Sequence, residues 1–272
     1  MRRIVHLSDL HFGAIDAGIV DCVVDKVNAL APDVVVVSGD LTQRAKSREF
    51  IDARTFLDRL PTPQIVVPGN HDIPAHNLFA RFVTPLEKYC HYITDDLSPT
   101  FFDEELAIVG LNTARSNVVK GGRINQDQID LVRSSLCALG EQILKVVVTH
   151  HPFDLPANSH HSDVVGRANE AMAAVAACGG DVLLAGHLHV SHIDTTAKRY
   201  ALGDGTNALV IQAGTATSTR VRGEPHSFNF IEFDEPRLNV TRLESRKPGE
   251  PFAPAEIKRY RKSGNGWLRE EV

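Results

Sequence analysis

The chain of 272 residues has little of what marks several whole classes of protein. It has no apolar run approaching the roughly 20 residues that a bilayer-spanning helix needs, so no membrane association is expected. The start, Met1-Arg2-Arg3, passes directly into Ile4 to Leu7, too brief for the apolar core of a signal peptide, and the expected location is cytoplasmic. Cysteine is scarce. Cys22, Cys90, Cys137 and Cys178 are widely spaced and form no Cys-x-x-Cys pair, which suits reduced core thiols better than disulfides or a zinc knuckle. No basic block precedes the C-terminal stretch, and 34 acidic against 29 basic residues give a net charge of -5. Nothing in that balance attracts long nucleic acid, and a small substrate fits better. No Pro/Gly/Ser-rich linker divides the chain into comparable halves, so residues 1–246 are expected to form one domain with a full core. Residues 247–272 are charged, contain proline and hold the only tryptophan, Trp267. They are expected to be a surface tail that packs partially, or an arm onto a partner subunit, which leaves a homo-oligomer open.

What is present is a rhythm of apolar runs that end in polar residues. Ile4 to Leu7 reads as a strand followed by Ser8-Asp9-Leu10-His11, and in extended backbone Asp9 and His11 would point to the same side. Ile19, Val20, Val23, Val24, Val27 and Leu30 recur at helical spacing before Pro32. Val34 to Val37, a β-branched run with no polar face, predicts a strand covered on both sides and ends in Ser38-Gly39-Asp40. An amphipathic segment (Phe50, Phe56, Leu57, Leu60) leads to Ile65-Val66-Val67. Pro68-Gly69 stops that strand abruptly and presents Asn70, His71 and Asp72 on a tight turn.

The segment from Ile73 to Phe102, with Pro74, His76, Pro85, His91 and Pro99, predicts a loop and short helices forming a lid or pocket wall. Ala107 to Leu111 is a further strand, ending in Asn112-Thr113-Ala114-Arg115. Asn125 starts an amphipathic helix carrying Ile129, Val132, Leu136 and Leu139. Leu144 to Val148 ends in Thr149-His150-His151-Pro152. Phe153 to Gly166 lacks periodicity and reads as an active-site loop, in which His160 and His161 are expected to be solvated. A helix from about Asn169 to Cys178 precedes the strand Asp181 to Ala185, which ends in Gly186-His187-Leu188-His189. Beyond His192, Leu209 to Gln212, Phe228 to Phe233 and Leu238 to Leu243 predict a second, largely antiparallel sheet packed on the first.

Five strand ends thus carry Asp9 and His11, Asp40, Asn70, His150, and His187 with His189. Each has an ordinary reading alone, as a turn or a helix cap, but parallel strands bring their carboxyl ends to one edge and the seven side chains would converge there. Two carboxylates, four imidazoles and an amide exceed the needs of one ion. With Asp40 bridging they divide into two sites of four ligands that leave positions for water and substrate.

With these motifs in order, the chain resembles the calcineurin-like metallophosphoesterase superfamily over roughly its first 220 residues. The resemblance implies an α/β fold, a four-layer α-β-β-α sandwich of two mixed β-sheets flanked by helices. It also implies two divalent ions, with Mn, Fe, Zn or Co all suiting the donors. Asp9, His11 and His189 would bind the first ion, Asn70, His150 and His187 the second, and Asp40 both. A hydroxide formed on the ions would attack phosphorus, and His71 would protonate the leaving alkoxide. Gly39-Asp40-Leu41-Thr42-Gln43-Arg44, with Asp72 where protein Ser/Thr phosphatases have Glu, argues against that branch. The double-strand-break nucleases normally add a capping domain that this chain is too short to hold. The chain looks most like bacterial class III cyclic-nucleotide and glycerophosphodiester phosphodiesterases, which implies a small phosphodiester substrate. Leu111-Asn112-Thr113 departs from the Asp-Ser or Asp-Thr pair usual there, leaving the organic half of the substrate open. Arg44 and, more remotely, Arg115 are the arginines near the expected site. A phosphomonoesterase or nuclease of the same superfamily is the alternative. A scaffold that kept the fold and lost catalysis, as retromer-type relatives did, fits least, because those typically lack several of these ligands.

Overall fold

Valine-rich runs cut by Gly, Pro and Asp build the centre of the molecule. The computed structural model describes residues 1–75, 77–118, 121–156, 163–200, 202, 206–264 and 266–271. In the first sheet β1 (Arg2–Leu7), β2 (Val34–Val37) and β3 (Gln64–Val66) run parallel. β10 (His226–Asp234), β11 (Arg237–Ser245), β12 (Ala253–Ser263) and β13 (Gly266–Glu270) continue it antiparallel from β1, giving the order β13-β12-β11-β10-β1-β2-β3. The second sheet holds β4 (Thr100–Phe102), β5 (Leu106–Leu111), β6 (Leu144–Thr149), β7 (Val182–Ala185), β8 (His192–Thr195) and β9 (Leu209–Gln212). Its order is β4-β5-β6-β7-β9-β8, parallel from β5 to β9.

Alternation along the strands assigns their faces. In β2, Val34 and Val36 enter the core between the sheets with Ile65, Val146, Leu184 and Ile211. Val35 and Val37 point the other way, onto α1 (Ala17–Leu30) and α2 (Ser47–Leu57) through Val23, Val27 and Phe50. The second sheet is covered by α5 (Gln126–Leu136) and α6 (Ala168–Ala177), which contribute Ile129, Val132, Met172 and Val175. The four layers α-β-β-α follow. Local chemistry sets the helix ends. Asp16 caps α1 by accepting from Gly18 N–H at 3.1 Å, and Asn125 and Gln128 form a reciprocal capping box on α5. The expected short helices between 73 and 102 are α3 (Leu78–Val83) and α4 (Glu87–Tyr92).

Two expectations are corrected, and a third is made more definite. Strand Leu209–Gln212 belongs to the parallel part of the second sheet, and 228–233 and 238–243 extend the first sheet; among the described residues no separate antiparallel sheet forms. Short β-branched runs look alike whether their partners are parallel or not. The charged stretch from 247 is largely strand, since Tyr260 and Trp267 turn into the inter-sheet core while Arg259, Arg261 and Leu268 remain outside. Its period-two alternation was masked by the charge. Cys137 and Cys178 are joined in a disulfide, because the C-terminal ends of α5 and α6 lie side by side and bring their Cα atoms to 4.1 Å. Cys22 and Cys90 are free and half-buried. His76, His160 and His161 lie outside the described residues.

Candidate metal centre

Where β1 and β2 end, the backbone leaves the extended region. Asp9, His11 and Asp40 have φ of 53°, 51° and 53°, and His187 and His189 have 74° and 57°. Left-handed backbone costs a residue with a Cβ about 1–2 kcal/mol. Five of the eight such non-glycine residues described here are candidate ligands, so the strain is concentrated at one place. The cost is offset by bonds that tie the strand ends together. Asp9 N–H donates to Gly39 O at 3.1 Å, His11 N–H to Asp40 O at 2.9 Å, and Thr215 Oγ1 to Asp9 O at 2.7 Å. Gly39 is required between them, because a Cβ there would stand 2.7 Å from His150 Nδ1 and its φ is +94°.

All seven predicted ligands converge, although from the ends of strands in both sheets and not from a single sheet edge. Asp9, His11, Asp40 and His189 form one cluster. His11 Nε2 lies 3.7 Å from Asp9 Oδ1, 3.6 Å from Asp40 Oδ2 and 3.2 Å from His189 Nε2. On the other side of Asp40, His150 Nε2 is 3.4 Å from Asp40 Oδ1, and Asn70 Oδ1 is 3.1 Å from both His150 Nε2 and His187 Nδ1. The expectation that His187 and His189 point the same way is corrected: left-handed turns at both residues send His189 to the first cluster and His187 to the second. Asp9 and His11 do share a cluster, through turned and not extended backbone.

The donor set fits two divalent cations. Asp9 Oδ1 is buried without a hydrogen-bond partner among the described residues, and it faces imidazole nitrogens that close on one another. A buried carboxylate oxygen left so is costly unless a cation joins the group. His150 Nδ1 donates to Ser38 O at 2.8 Å, which fixes the ring and makes Nε2, the nitrogen turned to Asp40 and Asn70, the one that would meet a cation once its proton is displaced.

Protonation follows burial and then neighbours. Burial alone would lower His150, but Asp40, and next Asp9, raise it to about 9. His187 falls to about 3 through burial and the adjacent His150, and His189 to about 4 through burial. Asp40 is held well below the usual carboxylate range, the pull of His150, His11 and His71 outweighing burial. Asp72 rises to about 6 through burial and Asp40, although it accepts from Gly69, Leu41 and Thr42 N–H at 2.9, 3.1 and 2.8 Å.

His71 is near the first cluster without belonging to it, edge-on to His11 with ring centroids 4.8 Å apart. Its Nδ1 lies 2.9 Å from Gln43 O, an acceptor, so Nδ1 carries the proton. Its Nε2 lies 2.9 Å from Arg220 NH1, a donor, so Nε2 is bare. Burial lowers the His71 pKa, with His11 and Arg220 adding to the effect and Asp40 opposing it.

Sequence reasoning missed three residues here. His151 groups with His150 and His187, and only its place in the His-His pair could have marked it. Asp72 locks the Gly39–Thr42 turn to the Gly69 turn, a role open to any acid in that turn. Arg220, 149 positions from His71, carries no spacing signal at all. The two arginines that were named act otherwise. Arg115 is spent on Asn112 O, Ala114 O and Gln128 Oε1, holding the end of β5 to α5. Arg44 is exposed, beside Arg220 in a side cavity.

A four-layer sandwich whose strand ends carry two adjoining clusters of this kind defines a metallophosphoesterase fold with a dinuclear site. The chain belongs to the calcineurin-like phosphoesterase family, whose model matches residues 2–191. It is similar to the glycerophosphodiester phosphodiesterase of Enterobacter lignolyticus, at 29% identity over 164 residues, 56% of this chain and 58% of that protein. It is also similar to a probable glycerophosphodiester phosphodiesterase of Arcobacter nitrofigilis, at 26% identity over 170 residues, 61% of this chain and 59% of that protein. The match therefore spans less than two thirds of either relative. Among solved structures, purple acid phosphatase PPD1 from yellow lupin (Lupinus luteus) superimposes with a TM-score of 0.72 at 11% identity, covering 95% of this chain and 53% of that one. A dimetal phosphatase from Danio rerio gives 0.66 at 15% identity, covering 93% and 98%. At such identities these two bear on the fold alone. No helix among the described residues is long and apolar enough to cross a membrane.

Proposed function

We propose that the chain is a phosphodiesterase dependent on two divalent ions and acting on a small phosphodiester. Asp9, His11 and His189 would hold one ion, Asn70, His150 and His187 the other, and Asp40 both. The observation that carries this reading is the position of Asp40: Oδ2 faces His11 Nε2 at 3.6 Å while Oδ1 faces His150 Nε2 at 3.4 Å. One carboxylate thus addresses both clusters. The ions, when bound, supply Lewis acidity toward phosphoryl oxygens and lower the pKa of water. The imidazole, carboxylate and amide donors suit Mn, Fe, Zn or Co.

The protein's own groups then orient and protonate. His71 is held by its N–H bond to Asp40 Oδ1 at 2.8 Å and by the Gln43 carbonyl on Nδ1, so its Nε2 points at a fixed place beside the first cluster. In this structure that nitrogen is bare and faces the Arg220 guanidinium, so His71 would act as the acid only with a proton on Nε2, which it would then deliver to the leaving oxygen. The glycerophosphodiester relatives support a diester substrate. A phosphomonoesterase is the second reading, favoured by Arg220: its guanidinium can meet the extra charge of a monoester dianion. Turnover of bis-p-nitrophenyl phosphate against p-nitrophenyl phosphate, with each metal added to stripped protein, decides between them. The diester is expected to have the higher kcat/KM; the reverse order rejects the diesterase reading, and no turnover of either rejects both.

A further inference from the structure

The guanidinium of Arg220 lies 2.9 Å from His71 Nε2, yet among the described residues no carboxylate lies within ion-pair distance of it. The same is true of Arg44 and Lys46, which line one side cavity of about 460 Å³ together with Arg220 and Gln43. Arg220 therefore belongs to both the His71 contact and the cavity wall, and connects the two. The acid in the wall, Glu49, forms no ion pair with these cations among the described residues. It is buried, and its Oε2 accepts from the backbone N–H groups of Arg44 at 2.7 Å and Lys46 at 3.3 Å.

The walls are also fixed in place. Gln43 N–H donates to Phe12 O at 2.9 Å, and Ala45 N–H donates to Thr42 Oγ1 at 3.1 Å in a turn whose Ala45 has φ of 52°. On the facing side, Thr219 N–H donates to Ala14 O at 2.9 Å and Arg220 N–H to Ser218 Oγ at 3.1 Å. Three cationic residues on two pinned loops thus line one cavity, and one of them, Arg220, touches His71. Such a lining favours an anion over a neutral organic group.

We propose that Arg44, Lys46 and Arg220 form an anion subsite on the leaving-group side of the metal centre, selecting phosphodiesters whose leaving group carries a negative charge of its own, such as a carboxylate or a second phosphate. The proposal rests on the phosphodiesterase reading and adds the chemistry of the organic half. Arg220, whose guanidinium lies 2.9 Å from His71 Nε2, would hold the leaving group's anion next to that imidazole.

Methyl 4-nitrophenyl phosphate and methyl 3-carboxy-4-nitrophenyl phosphate differ only by a carboxylate on the departing ring. With metal-loaded protein the carboxylated diester is expected to have a kcat/KM about tenfold higher, mainly through KM, as one charge-assisted hydrogen bond supplies. The doubly substituted Arg44→Gln/Lys46→Gln protein and, separately, Arg220→Gln should reduce that ratio toward one. A ratio of one or less in the unaltered protein overturns the proposal. Calorimetric binding of the two free phenols, 5-hydroxy-2-nitrobenzoate and 4-nitrophenol, gives a readout independent of turnover. Preferential binding of the carboxylated phenol, lost in the variants, sustains the subsite even if neither diester is cleaved, in which case the hydrolase reading fails alone. Equal binding of the two phenols overturns the subsite.

Discussion

The backbone N–H of His71 donates to Asp40 Oδ1 at 2.8 Å, so the candidate proton donor is anchored on the candidate bridging carboxylate. Among the described residues Asp40 addresses both clusters, with an oxygen toward His11 and an oxygen toward His150. Asp40→Asn should therefore remove more metal than any other single ligand substitution and displace the His71 turn as well. Asp9→Asn should empty chiefly the first site. Metal counting by plasma emission on both variants checks this. Two ions per chain retained in Asp40→Asn would show that the carboxylate does not bridge.

The strand ends were legible because β-branched runs stop at Asp, Gly and His. Val34–Val37 can be nothing but a doubly covered strand, so Asp40 had to sit at its carboxyl end. The start of α5 was equally plain from Asn125 and Gln128. Illegible were the features that depend on distant partners. The left-handed backbone of His187 and His189, which parts two histidines only two residues apart, is imposed by bonds such as His187 N–H to Asp9 Oδ2 at 2.9 Å. Arg220 reaches His71 across 149 positions, and the Cys137–Cys178 bridge spans 41, through helix and strand packing that no local pattern encodes.

His71→Ala should lower kcat while both ions stay bound, since His71 lies outside both clusters. General-acid assistance is typically worth about 10² to 10⁴ in rate, and the loss should be of that size for a diester with an alkoxide leaving group. For p-nitrophenolate, which departs without a proton, it should be much smaller. Equal losses for the two leaving groups together with depleted metal would instead make His71 a residue that orients Asn70.

Acid should unfold the protein partly through His6. Its ring is fully buried, with Nε2 2.9 Å from Ser38 Oγ, and burial lowers its pKa from 6.5 to about 3. Above pH 6.5 the ring is neutral in both states and its contribution to stability is complete. As pH falls below 6.5 the unfolded chain takes a proton that the folded chain refuses, so stability is lost progressively down to about pH 3. His6→Gln does not titrate. The gap in unfolding free energy between the two proteins should therefore shift by about 1.4 kcal/mol per pH unit below pH 6, in the direction that favours the variant. Urea unfolding at pH 7.5, 6.0 and 5.0 measures it, and parallel pH curves would exclude His6.

The C-terminal strands should be part of the cooperative fold. Trp267 is 2% exposed and packs in the inter-sheet core with Leu238, Val240 and Tyr260, although most of its neighbours in sequence are polar or charged. Β-strand pairing of β12 with β11 and of β13 with β12 carries that side chain inward. Trp267→Ala removes the largest side chain of this cluster, and such a truncation typically costs about 3–5 kcal/mol. Leu268, exposed on the opposite face of the same strand, is the control, and Leu268→Ala should change stability by no more than about 0.5 kcal/mol. Urea midpoints of the two variants separate an integral strand from an appended arm. If Trp267→Ala unfolds at the same midpoint as the unaltered protein, residues 253–270 do not contribute to the core that the strand register places them in.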